Sequence, residues 1–363
     1  MSAPQLRTTD GLSDADRALL RKSVREFLRK HWPAETAVEW SASAEAVAVL
    51  WRDMAGLGLA ALGSDAAEAG LREIALVFEE LGRASCPAPL LGAVAANLAL
   101  AGRQSNTTQA LLQDLHRGEA IVAVAFGAFD GDPAAGRVEV RGDALFGATA
   151  FVEGVQAATH LLAFTDSPAG VAIVANGAPG LRLRGTPGLA VPPFAALTFD
   201  NTPAIRMALS SESLADIALV ARLACGARAL GAAQRGFELA VEHAKVRKQF
   251  GQLIGQFQAV QHKLANCLIA LDGARLTIES AAEARDGGGP QWRVFASSAL
   301  AFAGPALREV SIQIHRALGA IGYAEEHEAP RHFRRVHADL ARFGGVSRAR
   351  AELADYLLGP ASS

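Results

Sequence analysis

Hydrophobic positions repeat at helical spacing through the first third of the chain. Ser13 can cap a helix, and Asp16, three residues on, completes a capping-box pattern. The apolar positions that then share one face are Leu19, Leu20, Val24, Phe27 and Leu28. Trp32-Pro33 is expected to end this helix, and similar spacing predicts further helices over 46–59, 71–81 and 90–115. We interpret residues 1–118 as a helical N-terminal domain.

The hydrophobic period changes near Glu119. Residues 138–141 alternate between apolar and polar side chains, and Gly142-Asp143 is a turn signal. Short apolar runs recur over 161–164, 171–174 and 197–199. This pattern predicts a small antiparallel β domain over 119–208.

Long helical patterns return after the turn signal at 201–203. The positions that mark one helix face are Val260, Leu264, Cys267, Leu268, Leu271 and Arg275. The glycine-rich stretch 286–290 is expected to break this run. Residues 209–363 are therefore predicted to form a C-terminal four-helix bundle, and the fold class is α+β, mostly α.

Composition excludes several classes of function. The 363 residues include 35 basic and 37 acidic side chains, a formal net charge of −2, so no basic field for binding nucleic acid is expected. The longest apolar stretch, 90–101, is shorter than the roughly 18 residues that span a bilayer. Three widely spaced cysteines suit neither a disulfide framework nor a zinc site, and no signal peptide is legible, which predicts a cytoplasmic protein.

Common catalytic and metal-binding motifs are absent. His327, His332 and His337 are five residues apart, which turns them to different faces of a helix, so no metal site is predicted. Cys225 and Cys267 are expected in the core. The acidic and basic residues that we expect to form a solvated, salt-bridged helix start are Glu325, Glu326, Glu328, Arg331, Arg334 and Arg335.

Two segments carry a specific resemblance. Residues 247–251 read Arg-Lys-Gln-Phe-Gly, and residues 319–323 read Gly-Ala-Ile-Gly-Tyr, followed by acidic residues and arginines. In these motifs, their spacing and the order of helical, β and helical regions, the chain resembles the acyl-CoA dehydrogenases.

The resemblance implies FAD as cofactor. In that family the C-terminal domain of one subunit reaches the pyrophosphate and adenosine of a FAD whose ring lies mainly in the neighbouring subunit. The implied FAD-binding residues are Arg247, Gln249, Phe257, Gln258, Arg316, Gly319 and Ala320. A planar guanidinium suits phosphate oxygens, although Arg247 and Arg316 could instead form exposed ion pairs.

The catalytic base of the family is missing. The two positions from which family members supply a glutamate hold Ala221 and Phe343, so no catalytic residue is assigned. The flavin-lining Thr-Glu-Pro pattern is absent over 123–133, and the Trp-Ile-Thr strand reads Phe151-Val152-Glu153.

Such losses resemble the non-catalytic subunit of bacterial α2β2 acyl-CoA dehydrogenases that act on CoA-activated steroid side chains. This likeness implies a second acyl-CoA dehydrogenase-like subunit that carries the base. It also implies an acyl-CoA substrate, with a steroid side-chain CoA as a candidate, and electron-transfer flavoprotein or a similar acceptor.

Two alternatives stay open at this point. The chain could form a homotetramer with FAD in every subunit and Glu153 as an unorthodox base, although a carboxylate beside the flavin disfavours flavin reduction. It could also be a non-enzymatic scaffold or CoA-binding module of the same fold.

Overall fold

The computed structural model describes residues 12–64, 69–103 and 105–359. The N-terminal residues on which the signal-peptide prediction rests therefore lie partly outside the described residues. The N-terminal helices are α1 (Asp14–His31), α2 (Ala37–Ser41), α3 (Ala44–Gly56), α4 (Leu71–Arg83), α5 (Leu90–Leu100) and α6 (Asn106–His116).

The predicted start and end of α1 are confirmed. The Asp16 amide donates to Ser13 Oγ, and the Asp16 carboxylate accepts from the Ser13 amide, both at 3.2 Å. Trp32 caps the last turn. The prediction of one helix over 90–115 is wrong, because α5 ends at Leu100 and Gly102 turns the chain with φ +67° before α6 begins.

The middle region contains two four-stranded sheets. Its strands are β1 (Val122–Ala125), β2 (Gly136–Arg141), β3 (Ala144–Val152), β4 (His160–Asp166), β5 (Ala169–Ala175), β6 (Leu181–Gly185), β7 (Ala195–Pro203) and β8 (Ile205–Ala208). The strand orders are β1-β4-β5-β8 and β2-β3-β7-β6. The pairs within both sheets are antiparallel as predicted, except that β1 and β4 are parallel, because the β2-β3 hairpin between them belongs to the other sheet.

The C-terminal region is helical. Its elements are α7 (Ser211–Val246), β9 (Lys248–Gln249), β10 (Gln252–Leu253), α8 (Gln258–Asp286), α9 (Trp292–Leu318), α10 (Ala329–Ala341) and α11 (Gly345–Leu358). The predicted break over 286–290 is confirmed, and α11 adds a fifth helix to the four that were predicted. The predicted domain boundaries at 118/119 and 208/209 fall in the connections between the three groups of elements.

Helices α4 and α7 cross at very close range. A Cβ atom on Gly82 would lie 1.8 Å from the Arg228 carbonyl oxygen, and one on Gly231 would lie 1.8 Å from the Glu79 carbonyl oxygen. Only glycine permits this approach of the two backbones. The crossing holds the middle of α7 against the N-terminal helices.

Helix α1 docks on α4 through a row of ion pairs. Arg17, Arg21 and Arg25, spaced four residues apart, donate to Glu73, Glu79 and Glu80 at 2.8, 2.7 and 2.7 Å. No helix in the described ranges combines the length and apolar character needed to cross a bilayer.

We expect Gly82→Ala to lower the free energy of unfolding by about 2 kcal/mol or more, because the added methyl group forces α4 away from α7. The matched control is Gly56→Ala in α3, where an added Cβ meets no atom within 4 Å. Urea unfolding measures both variants. Equal midpoints for the two variants would show that the close crossing does not limit stability.

Candidate functional site

The first of the two motif segments is a β-hairpin at the end of α7. The Arg247 amide caps the helix by donating to the His243 carbonyl at 2.9 Å, and the Arg247 carbonyl accepts from Ile254 at 2.8 Å. Strands β9 and β10 pair across a turn whose two central residues, Phe250 and Gly251, have φ +51° and +81°. Positive φ at both positions is typical of a type I′ hairpin turn, and the glycine adopts it without strain. The hairpin leaves Arg247 and Gln249 exposed.

The start of α8 continues this surface. Phe257 precedes the helix, and Gln258 opens it with an exposed side chain. The Phe257 ring lies edge-on to the Phe250 ring, with centroids 6.2 Å apart. Phe250 itself is 92% exposed, which is unusual for so large an apolar side chain.

The second motif segment ends α9. Gly319 follows the helix with φ +66° and ψ −143°, a conformation that side chains with a Cβ avoid. Arg316 in the last helical turn, Gly319 and Ala320 are all exposed. Two apolar neighbours, Ile321 and Tyr323, are also exposed.

The fold brings the two segments to one end of the helical domain. Gly226 and Gly236 of α7 approach Leu300 and Ile314 of α9 in the same order, so the two helices run in the same direction and their C-termini lie at one end of the domain. The N-terminus of α8 lies there too, because only a short hairpin separates it from α7.

Burial lowers the pKa of His243, and the nearby charges of Arg247 and His327 lower it further. Burial also lowers the pKa of His315 in α9, and His327 contributes there too. His327 is therefore close to His243 in the last turn of α7 and to His315 in the last turn of α9.

The arginines of this surface have no acidic partners among the described residues. The ion pairs near the end of α7 join Arg235 to Glu238, Glu242 and Glu328. Neither Arg247 nor Arg316 forms an ion pair within the described ranges, so the alternative of exposed ion pairs gains no support.

The two positions predicted to lack the base are buried. Ala221 lies in α7 and is buried in the protein core. Phe343 is 1% exposed, has φ +58°, and packs edge-on against Phe126 with ring centroids 5.0 Å apart. Phe126 in turn packs against Phe164 at 4.9 Å. An aromatic cluster fills this position.

Glu153, the alternative base, belongs to a buried cluster of ion pairs. Its carboxylate accepts two hydrogen bonds from Arg228, at 2.9 and 2.8 Å. Arg335 and Arg342 donate to the same carboxylate at 3.2 and 3.3 Å. Arg228 also donates twice to Asp339, at 2.9 and 2.7 Å.

Three guanidinium groups keep Glu153 ionised. Burial by itself raises the pKa of this carboxyl, but the charges of Arg228, Arg335 and Arg342 outweigh burial and hold the pKa well below its usual range. A carboxylate that is such a weak base and is enclosed by donors cannot accept a substrate proton near neutral pH. The structure thus argues against Glu153 as a catalytic base.

The predicted solvated cluster over 325–335 is partly wrong. Arg334 pairs with exposed Glu325, as expected. Arg335, however, is only 3% exposed in its side chain and joins the Glu153 cluster, because α10 packs this face against α7. Cys225 and Cys267 are buried, as predicted.

Sequence reasoning missed Arg228, Asp339 and Arg342. One signal was available for Arg228, because it stands in an alanine-rich, apolar stretch of α7 with no acidic residue between Asp216 and Glu238. A buried arginine in such a helix requires a carboxylate from elsewhere in the chain. Among the described residues, no group of three His, Cys, Asp or Glu side chains is placed to hold a metal ion.

Two family models and two curated relatives that match this chain belong to one family. The family model "Acyl-CoA dehydrogenase, N-terminal domain" matches residues 14–119, and "Acyl-CoA dehydrogenase, C-terminal domain" matches residues 216–349. The chain is 31% identical to acyl-CoA dehydrogenase IpdE2 of Mycobacterium tuberculosis over 89% of its own length and 91% of that protein. It is 30% identical to IpdE2 of Mycolicibacterium smegmatis over 91% and 94% of the two chains.

Solved structures show the same architecture. A variant of the steroid ACAD Tcur3481-Tcur3483 superposes with a TM-score of 0.84 and 27% identity, covering 95% of this chain and 98% of that chain. The ChsE4-ChsE5 complex of Mycobacterium tuberculosis gives a TM-score of 0.81 at 23% identity, covering 97% and 99%, which shows the shared fold.

We expect Glu153→Gln to lower the free energy of unfolding by about 3 kcal/mol near neutral pH, because it leaves three buried guanidinium groups undercompensated. The folded-state pKa of Glu153 lies below its unfolded value of 4.5. Its contribution is therefore fully present above pH 4.5 and is lost as the pH falls towards the folded pKa.

Urea unfolding of wild type and variant from pH 8 to pH 3 measures this difference. The gap should be constant above about pH 5 and narrow below about pH 4.5. The control is Glu139→Gln, whose carboxylate is 52% exposed beside Arg141 and should matter little. A gap that widens towards low pH would contradict the assignment.

Proposed function

This chain belongs to the acyl-CoA dehydrogenase family, and on that premise we propose that it is the non-catalytic subunit of a FAD-dependent heteromeric enzyme. In this role it carries no base of its own and completes the FAD site of a second acyl-CoA dehydrogenase-like subunit. The assembly would be an α2β2 heterotetramer that desaturates an acyl-CoA thioester between its α and β carbons. One observation carries the proposal: of the three positions considered for a base, Ala221 and Phe343 carry apolar side chains and Glu153 is held in an ion-pair cluster.

The positions considered for the base support a non-catalytic role for this subunit. Ala221 and Phe343 are buried and cannot accept a proton. Glu153 is bound by three arginines and stays ionised. The homotetramer with Glu153 as base is therefore disfavoured by the contacts of that side chain.

The exposed end of the helical domain fits the phosphate side of a FAD held mainly by the partner. The residues proposed to contact it are Arg247, Gln249, Phe257, Gln258, Arg316, Gly319 and Ala320. Arg247 and Arg316 supply charge-assisted donors for pyrophosphate oxygens, and the two glutamines supply neutral donors and acceptors. An added Cβ on Gly319 would meet no atom of this chain within 4 Å, so the backbone there is open to a close approach from outside.

When bound, FAD accepts the hydride that leaves the acyl chain. The role of this chain is to orient the cofactor and to cover it. Exposed Phe250 and Tyr323 flank the polar residues and would exclude water from the interface between the subunits.

The proposed partner and substrate rest on analogy with the relatives. The Tcur3481-Tcur3483 structure is described as a steroid ACAD and names two components, and it is 27% identical to this chain. We propose by analogy a steroid side-chain CoA as substrate and electron-transfer flavoprotein or a similar protein as electron acceptor.

The test is a visible spectrum with a mass determination. We expect no flavin bands from this protein purified alone. After co-expression with a neighbouring acyl-CoA dehydrogenase-like chain that carries a glutamate at a base position, we expect about one FAD per two chains. Flavin bound by this chain alone would indicate the homotetramer, and a complex that is always colourless would indicate the scaffold.

In the mixed complex, we expect Arg247→Ala to weaken FAD binding by about tenfold to a hundredfold, since a charge-assisted hydrogen bond contributes roughly 1.5–3 kcal/mol. Flavin release on dilution, followed by fluorescence, measures the affinity. The matched control is Arg29→Ala, another exposed arginine, on α1. Equal FAD affinity in both variants would remove Arg247 from the cofactor site.

A further inference from the structure

A small cavity lies beside the Glu153 cluster, between α7, α9 and the link from α10 to α11. Its volume is about 20 Å³. Its walls include Arg222, Gly226, Leu300, Arg342 and Phe343. A cavity needs roughly 10–15 Å³ to hold one water molecule, so this one has room for one small species.

Two buried guanidinium groups at this cavity have unused donors. Arg222 Nη2 and Arg342 Nε have no hydrogen-bond acceptor among the described residues. Both side chains are at least nine-tenths buried, with exposures of 4% and 3%. An unpaired donor on a buried charge is among the costliest groups to leave without a partner.

The acidic side chains near the cavity are already engaged. Asp339 borders it, but both of its oxygens accept from Arg228, at 2.9 and 2.7 Å. Glu352 accepts from Arg222 at 2.7 Å and is shared with Arg348 at 2.9 Å. Asp130 accepts from the Phe343 amide at 3.1 Å, and burial raises the pKa of its carboxyl.

The local charges do not balance. The buried guanidinium groups are those of Arg222, Arg228, Arg335 and Arg342, and the buried carboxylates are those of Asp130, Glu153 and Asp339. Adding the half-buried pair Arg348 and Glu352 leaves the excess at one positive charge. A water molecule could accept from the two free donors, but it would not compensate this charge.

We propose that the cavity binds one small monovalent anion of halide type, which in solution is chloride, between Arg222 Nη2 and Arg342 Nε. The anion would complete the charge balance beneath Phe343 and stabilise the packing of α10 and α11 on α7. This site is independent of the surface proposed to bind FAD.

The first test is the thermal midpoint of the purified protein, in the assembly in which it is isolated, at constant ionic strength. We expect a saturable rise on the order of 3 °C when chloride or bromide replaces gluconate, which is too large for the cavity. Crystals grown in bromide should show an anomalous peak between the two arginines. Equal midpoints in chloride and gluconate, with no bromide peak, would overturn the proposal and leave a water site.

Variants distinguish anion binding in the cavity from general effects of salt on stability. Gly226→Ala adds a methyl group 3.3 Å from Leu300 Cδ2, narrows the cavity and keeps every charge. It should raise the half-saturating chloride concentration severalfold, and Arg222→Gln should abolish the saturable response. The control Arg293→Gln removes an exposed arginine paired with Asp216 and Glu212 and should respond to chloride like wild type. If Arg222→Gln does not fold, the bromide peak in the wild-type protein decides.

Discussion

The buried guanidinium of Arg228 joins the three parts of this molecule. It binds Glu153, which follows β3, and Asp339 of α10, while the backbone at Arg228 touches Gly82 of α4. Burying this many charges is expensive, and an apolar cluster of similar volume could be equally stable. Once the arginine is buried, however, each carboxylate becomes indispensable, because removing one leaves an uncompensated charge. The relative placement of the β region and the helices therefore depends on Arg228 together with Arg335 and Arg342, which bind the same Glu153 carboxylate.

The Glu153 cluster lies in the filled interior of the protein, whereas the far end of α7 is exposed. Phe343, Phe126 and the Glu153 ion pairs fill positions at which the family resemblance predicts a base and flavin contacts. Along α7, Val246 lies about 27 Å from Arg228, as eighteen residues of helix rise by about 1.5 Å each. Beyond Val246 come the exposed Arg247 and Gln249. One long helix thus connects an interior filled by side chains to the exposed surface that is proposed to contact a FAD held by the partner.

Local features of this fold could be predicted from the sequence, and long-range ones could not. The capping box at Ser13 and the break over 286–290 depend on residues a few positions apart, and both were predicted correctly. The Arg228 contacts join residues 75 and 111 positions apart, and Arg335 reaches Glu153 across 182 positions. Periodicity carries no information about such partners, so Arg335 was wrongly placed in solvent. The residues proposed to bind FAD were named through a family motif, and all of them except half-buried Phe257 are exposed in the structure.

The position of the cluster explains how a subunit of the proposed kind can keep its fold. In the proposed role this chain encloses neither a flavin ring nor an acyl chain of its own, and an aromatic cluster and four buried arginines occupy its interior. The interior then holds together without any help from the flavin. The exposed end of the helical domain, where Phe250 is almost fully exposed, is the region that the proposed partner would bury. In the proposed role, loss of catalysis and retention of assembly would be two consequences of the same packing.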